Sequence, residues 1–295
     1  MKRVIVTADD FGRCPAVNQA VIQAHQKGIL KCASLMVNAD ATDEAIALAR
    51  AHSSLKVGLH LVLVDGFAVL PKKEIPDLVD ETQRFSDRPA SSGLRYFLSK
   101  RIKRQLVQEC KAQIEKFLDS GLKMDHLNSH HHLHIHPSVA NIVVALAVQY
   151  HIPAVRLPWQ GLRTLTWKNF VMAAVMLPWV IRLRHKLQQA GIAHNREIFG
   201  LYETGAMLEE TWLRLIPMIK PGVTEIFCHP AVTKSTHHQK STHTHYHVEE
   251  FEALLSLKVK DRLMRAKVAL TSFSDIAGGL FPGPSAGSSG DKGCN

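Results

Sequence analysis

Short β-branched or apolar runs alternate with helical stretches along most of this chain, and no other feature of the sequence constrains its fold as strongly. Strands are expected at 4–7, 33–37, 56–61, 124–128, 153–157, 225–228 and 268–272, with helices at 15–26, 43–51, 96–119, 138–150 and 248–257. Strand and helix repeating in this order predict a parallel sheet with crossover helices. The chain has 295 residues, 46% of them hydrophobic, enough for a large core built as one α/β barrel or as two domains. In such folds chemistry lies beyond the carboxyl ends of the strands, which says where to look.

Those ends carry chemistry. The first strand runs into TADDFG, with Asp9 and Asp10 adjacent, and the third into GLHL, with His60. The fourth runs into NSHHHLHIHP at 128–137, five histidines in ten residues with His126 just before them. The stretch at 153–157 supplies Arg156 in VRLP, and the one at 225–228 is followed by His229 in IFCHPA. Each has an ordinary structural reading. An Asp pair caps helices and makes turns; a lone His60 can be a core histidine; a His run can be a solvated tract; Arg156 can pair with a carboxylate and His229 can cap. Their convergence on one edge is what those readings leave unexplained.

A carboxylate with two imidazoles is a sound ligand set for Zn²⁺ or a similar divalent ion, with positions left open for water. Such an ion lowers the pKa of its water towards about 7 and polarises a carbonyl. A neighbouring carboxylate can take the water's proton, and a histidine opposite can protonate a leaving group. Asp9 and Asp10 suit the first two roles because consecutive residues at a strand end point in different directions. If the backbone stays extended, Asn128, His130, His132, His134 and His136 share one side.

Bulk properties narrow the partners. A net charge of +10 favours an anionic partner, but only 6% of residues are aromatic and no basic run interleaves with them, which argues against nucleic acid. The five cysteines are an odd number without a CxxC pair, as in a reducing compartment. The N-terminal MKRVIVTADDFG has too short an apolar run for a signal peptide. A cytoplasmic protein is expected.

Together, TADDFG, GLHL, NSHHHLHIHP, VRLP and the CHP of IFCHPA resemble the YdjC-like (ChbG/HpnK) carbohydrate deacetylase family. DHLNSHHHLHIHP, and HVEEFEALLS followed by ALTSFSDI, are similar to its hopanoid-biosynthesis branch, HpnK. The resemblance covers about 2–157 and 222–277. It implies an α/β, TIM-barrel-like (β/α) barrel with parallel strands, irregular or incomplete. The activity it implies is metal-dependent removal of an N-acetyl group from an amino sugar, in the HpnK branch an N-acetylglucosaminyl group on a bacteriohopane lipid. Chito-oligosaccharides are the alternative substrate. By position, Asp10, His60 and His130 resemble the ligands of one divalent metal ion, zinc or magnesium. Asp9 resembles the catalytic base and His229 the general acid; Arg156 contacts substrate or supports the site from behind, and His132 and His134 contact substrate or hold the loop. Asn128 departs from the wider family, where Asp is common two positions before the ligand histidine.

The remaining stretches are read more simply. Residues 65–95 form a Pro- and charge-rich insertion, a lid or loop over the site, within a single domain at 1–280. The His-rich stretch at 235–247 reads as an exposed loop, and the Gly/Ser/Pro-rich tail at 281–295 as disordered. WKNFVMAAVMLPWVIRLRHK at 167–186 is apolar from Phe170 to Ile181 and then basic. Its twelve apolar residues fall short of the roughly 20 that span a bilayer. It is either a buried barrel helix or an interfacial segment that gives peripheral contact with the inner membrane face.

Overall fold

The computed structural model describes residues 1–233 and 246–278. Most of the loop expected at 235–247, and the whole tail expected at 281–295, lie outside the described residues. In chain order the elements are β1 (Lys2–Phe11), α1 (Pro15–Lys27), β2 (Cys32–Leu35), α2 (Thr42–Ala51), β3 (Lys56–Leu61), α3 (Pro89–Leu98) and α4 (Lys100–Asp119). There follow β4 (Met124–Ser129), α5 (Pro137–Gln149), α6 (Phe170–Gln189), β5 (Glu197–Phe199), α7 (Glu209–Leu215), β6 (Gly222–Cys228), α8 (His247–Leu255), α9 (Leu257–Arg265), β7 (Val268–Thr271) and α10 (Phe273–Gly278).

All strand pairs are parallel, in the order β4-β3-β2-β1-β6-β5. β7 pairs with the first residues of β1 (Lys2–Ile5), and β2 with the stretch beyond them (Thr7–Phe11). β1 is thus the central strand, and its burial shows in its unbroken VIV run. Single parallel bridges, Leu127 to Val155 and Ala154 to Ala193, extend the sheet past β4 toward the segment leading to β5. The result is a curled, incomplete barrel of parallel strands with helices around it, the α/β class expected.

Three local expectations are corrected. Residues 153–157 make bridges but no strand, because Pro153 and Pro158 bracket the segment and proline cannot donate to a ladder. The helix at 96–119 is two helices, broken at Ser99, whose extended backbone and side-chain oxygen cap α4 through Ile102 N. The extended run 128–136 ends at Ser129. Residues His130–Ile135 wind into a three-ten helix in which His131 and His132 have φ of 53° and 54°. The period-two alignment of the histidines therefore does not exist.

Candidate active site

The Asp9–Asp10 pair is split by a bulge. Between Ala8 and Phe11, β1 advances three residues while β2 advances two, from Ala33 to Leu35. Asp10 takes up the extra residue at φ 64°, a left-handed conformation that Asp tolerates. The two carboxylates consequently meet different partners.

Asp10 turns to the imidazoles of β3 and of the turn after β4. Its Oδ1 lies 3.2 Å from His60 Nε2 and 3.2 Å from His130 Nδ1, and these two nitrogens are 3.4 Å apart. Donors held about 2.1 Å from a tetrahedral zinc would be about 3.4 Å from one another, so this triangle has the dimensions of three ligand positions round one ion. Asp10 Oδ1 is buried and accepts no hydrogen bond, whereas Oδ2 accepts one from Arg13 Nη1 at 2.8 Å. Burial alone would raise the Asp10 pKa, but His130 and Arg13 outweigh it and hold the carboxyl well below its ordinary range. Burial likewise pushes His130 down, and the Asp10 carboxylate reverses this, lifting it to about 9. The three residues fit a divalent ion.

The imidazoles have orienting partners. His60 and Asn128 are register neighbours on β3 and β4, and His60 Nδ1 is 2.7 Å from Asn128 Oδ1. His130 Nε2 points to Asp65 Oδ2 at 3.8 Å, as does His131 Nε2. Asp65 belongs to the insertion at 65–95, which is thereby brought to the edge of the site. The imidazoles of His130 and His131 beside it hold its carboxyl below the ordinary range.

Asp9 turns inward. Its two oxygens accept from Arg156 Nη1 at 2.5 Å and Nη2 at 3.0 Å, and Asn128 Nδ2 donates to Oδ1 at 3.1 Å. Arg156 also donates to Glu225 on β6, from Nε at 3.0 Å and from Nη2 at 2.6 Å. Thr7 Oγ1 donates to Glu225 Oε1 at 2.8 Å. Burial would raise the Asp9 pKa, but Arg156, His60 and His229 together hold it far below the carboxylate range.

Burial decides between the two roles open to Arg156 and His134, and takes both away from substrate. Arg156 is 0% exposed and its guanidinium is spent on Asp9 and Glu225, so it fixes Asp9 rather than meeting a ligand. His134 is also 0% exposed. Its Nδ1 meets Ser129 Oγ at 2.7 Å and its Nε2 meets the Arg156 carbonyl at 3.0 Å, so it pins the turn. His132 keeps a place at the site, edge-on to Phe227 with centroids 5.2 Å apart. Burial, and then Arg156, keep it neutral.

Phe227 gathers the rest. Arg156 Cζ lies 4.8 Å from its centroid on one side, and the His229 ring stands edge-on at 5.6 Å. His229 is placed by its backbone, whose N–H donates to Glu250 Oε2 at 2.6 Å. Burial depresses the His229 pKa to about 4, although Asp10 and Asp9 pull the other way. Burial also lifts Glu250 to about 7, against the N–H groups of Met207 and His229.

Sequence reasoning passed over Glu225, Arg13, Asp65 and Glu250. Glu225 was the one with a usable signal, a carboxylate inside an otherwise apolar central strand, which needs a buried cation.

Fold and site together define a class: a parallel, barrel-like α/β protein with an Asp-His-His cluster that could hold a cation at the carboxyl ends of its strands. The chain belongs to the YdjC family, since residues 3–265 match the model for YdjC-like proteins. It is 29% identical over 275 residues to a carbohydrate deacetylase of Brevibacillus brevis, covering 93% of this chain and 99% of that one. It is 30% identical over 274 residues to a carbohydrate deacetylase of Geobacillus stearothermophilus, covering 92% and 97%. A solved structure from Enterococcus faecalis V583, named for cellobiose-phosphate cleavage, superimposes with a TM-score of 0.74 at 27% identity, covering 93% and 98%.

Proposed function

We propose that this protein is a metal-dependent N-deacetylase of amino sugars. The observation that carries the reading is the triangle of Asp10, His60 and His130 donor atoms beside a second carboxylate, Asp9, that is held out of the triangle by Arg156. The carbohydrate deacetylases to which the chain is similar support the same chemistry. A non-catalytic sugar-binding protein would need the triangle but would have no use for a fixed, ionised carboxylate next to it.

A divalent ion held by Asp10, His60 and His130 would supply an acidified water and polarise the acetamide carbonyl. Asp9, ionised and immobile, is placed to accept the proton of the attacking water. His229 is neutral at rest, so it would first take over the proton that Asp9 received from the water and then give it to the departing amine, leaving both groups as they began. His132, edge-on to Phe227, is the histidine of the run that this reading gives to the sugar.

The finer reading follows the HpnK-like stretches: the amino sugar is N-acetylglucosamine on a bacteriohopane lipid, met at the inner membrane face, with chito-oligosaccharides as the alternative. Acetate release from both substrates tests it, with wild type, Asp9→Ala and chelated protein compared. Release from the lipid, absent in both controls, is expected. Release from the oligosaccharide alone would discard the lipid, and release from neither by metal-loaded protein would discard the enzyme.

A further inference from the structure

The N-terminal half of α6 is apolar and uncovered. Among residues 170–178, FVMAAVMLP, only Ala173 is buried, whereas Val180, Leu183 and Leu187 anchor the second half in the core. Pro178 stands at the junction. Trp167, 89% exposed, stacks on Phe170 with ring centroids 5.9 Å apart, and Val171 is 71% exposed. Soluble proteins rarely expose contiguous apolar surface of this kind without a partner.

A second exposed apolar pair lies on the same side. Phe97 and Leu98 end α3, and the His136 ring joins them to α6, 6.3 Å from Phe97 and 5.6 Å from Trp179. His136 directly follows the three-ten turn of the His run, so this apolar surface borders the mouth of the site.

Its rim is basic. α4 opens with KRIKR, of which Lys100, Arg101 and Arg104 are exposed, and Lys103 lies 5.5 Å from the centre of the Phe97 ring. Arg182 is exposed on α6. A Trp-led apolar face with a cationic border is the chemistry that sinks into a bilayer interface, by about 5–10 Å, with its charges among anionic headgroups. A second copy of the chain fits poorly, because a two-fold dimer on this face would bring two identical basic rims together. No helix among the described residues is long and apolar enough to cross a membrane, so contact would be at the surface.

We infer that the face formed by Trp167, Phe170, Val171, Val175, Phe97 and Leu98 docks the protein on an anionic lipid bilayer. This deepens the lipid-substrate form of the proposed function without resting on it, since the deacetylase chemistry itself needs no membrane.

The test is co-sedimentation of the full chain with vesicles. Vesicles of phosphatidylcholine mixed with phosphatidylglycerol are expected to bind it about tenfold or more tightly than phosphatidylcholine alone. Replacing Trp167→Ser, Phe170→Ser and Val171→Ser together should weaken that binding about tenfold or more. Because all three side chains are exposed, the triple variant should melt with the wild type and deacetylate soluble chito-oligosaccharide equally well. A wild type that ignores anionic vesicles, or a triple variant that binds them unchanged, would overturn the inference. So would a wild type that is dimeric through this face and binds no vesicle. Failure of acetate release by the wild type would concern only the deacetylase reading.

Discussion

His60 and Asn128 face each other across the β3–β4 ladder, and the 2.7 Å contact between His60 Nδ1 and Asn128 Oδ1 decides which imidazole nitrogen is left bare. An amide oxygen can only accept, so Nδ1 carries the hydrogen and Nε2 presents its lone pair toward Asp10. The Asn128 amide nitrogen donates to Asp9 Oδ1 and to Ser34 Oγ, which fixes the amide's own orientation. Asn128→Ala should therefore lower divalent-metal affinity about 10–100-fold, as removal of an orienting partner does. A competition titration against a chromogenic chelator reads this, and unchanged affinity would disconnect Asn128 from the metal. Asn128→Asp should behave differently. It would set a carboxylate against Asp9 and shift the acid limb of the activity profile to higher pH.

Arg156 is the hinge of the buried charge network, since its guanidinium is ion-paired with both Asp9 and Glu225. Arg156→Met would leave two carboxylates uncompensated in the core, with a cost of about 3–5 kcal/mol in urea unfolding. Adding Glu225→Gln removes one of them and should recover part of that loss. A loss below about 1 kcal/mol, the scale of an exposed ion pair, would mean that the network relaxes or hydrates when the guanidinium goes.

The parts of this molecule that a sequence displays are those decided locally. Parallel strands buried on both faces read as apolar runs, and the residues that interrupt them at their ends, Asp9, Asp10 and His60, stand out for that reason. His130 is legible as the first histidine beyond β4. What stays hidden is decided at a distance. Arg156 looks like a ligand contact until Asp9, 147 residues away, and Glu225, 69 away, fold around it. The left-handed turn at His131 and His132 has no residue-type signature, since neither is glycine or asparagine, and it scatters side chains that an extended strand would align. β5, three residues long, is too short for any periodicity to show.

Buried groups pull the pH dependence of stability in opposed directions, and His134 and Glu250 show one of each. His134 Nε2 donates to the Arg156 carbonyl, so its Nδ1 accepts from Ser129 Oγ; burial, and then Arg156, lower the pKa from 6.5 to about 3. Between those values the unfolded chain binds a proton that the folded chain refuses. The contribution of His134 is thus whole above pH 6.5 and falls by about 1.4 kcal/mol per pH unit below it. Glu250 acts in reverse. Burial raises it from 4.5 to about 7, so the folded chain keeps a proton the unfolded chain has lost, and stability declines as pH rises through that window. Near pH 5–6 Glu250 opposes His134, but His229 and His132, also held neutral by burial, add to the slope of His134, so the wild-type protein should still lose stability on acidification there. Urea unfolding of His134→Gln beside the wild type isolates the His134 part: the advantage of the wild type should be largest at neutral pH and shrink on acidification. A gap that stays constant would assign His134 no titration. In Glu250→Gln the decline that Glu250 contributes between pH 4.5 and about 7 should disappear, leaving a steeper rise of stability with pH across that window.

Gly58 offers a test of how far the backbone, rather than any ligand, positions the site. It lies on β3, two residues before His60, opposite a bulge where β4 advances three residues, from Met124 to Leu127, while β3 advances two. A Cβ on Gly58 would lie 2.4 Å from His126 Nδ1 and 2.5 Å from the His126 carbonyl oxygen. The side chain of His126 cannot swing away, being buried between Ser34 Oγ at 3.0 Å, Asp125 at 3.0 Å and the ring of Phe273 stacked at 4.5 Å. Its carbonyl belongs to the strand and cannot move without it. Gly58→Ala should therefore force β3 and β4 apart, with a cost of about 2–3 kcal/mol or more. Because His60 and Asn128 pair across the same ladder, metal affinity should fall with stability, although neither ligand nor partner has been replaced. A Gly58→Ala protein that is less stable yet binds metal as tightly as the wild type would show that the far ends of the two strands hold their spacing without help from this contact.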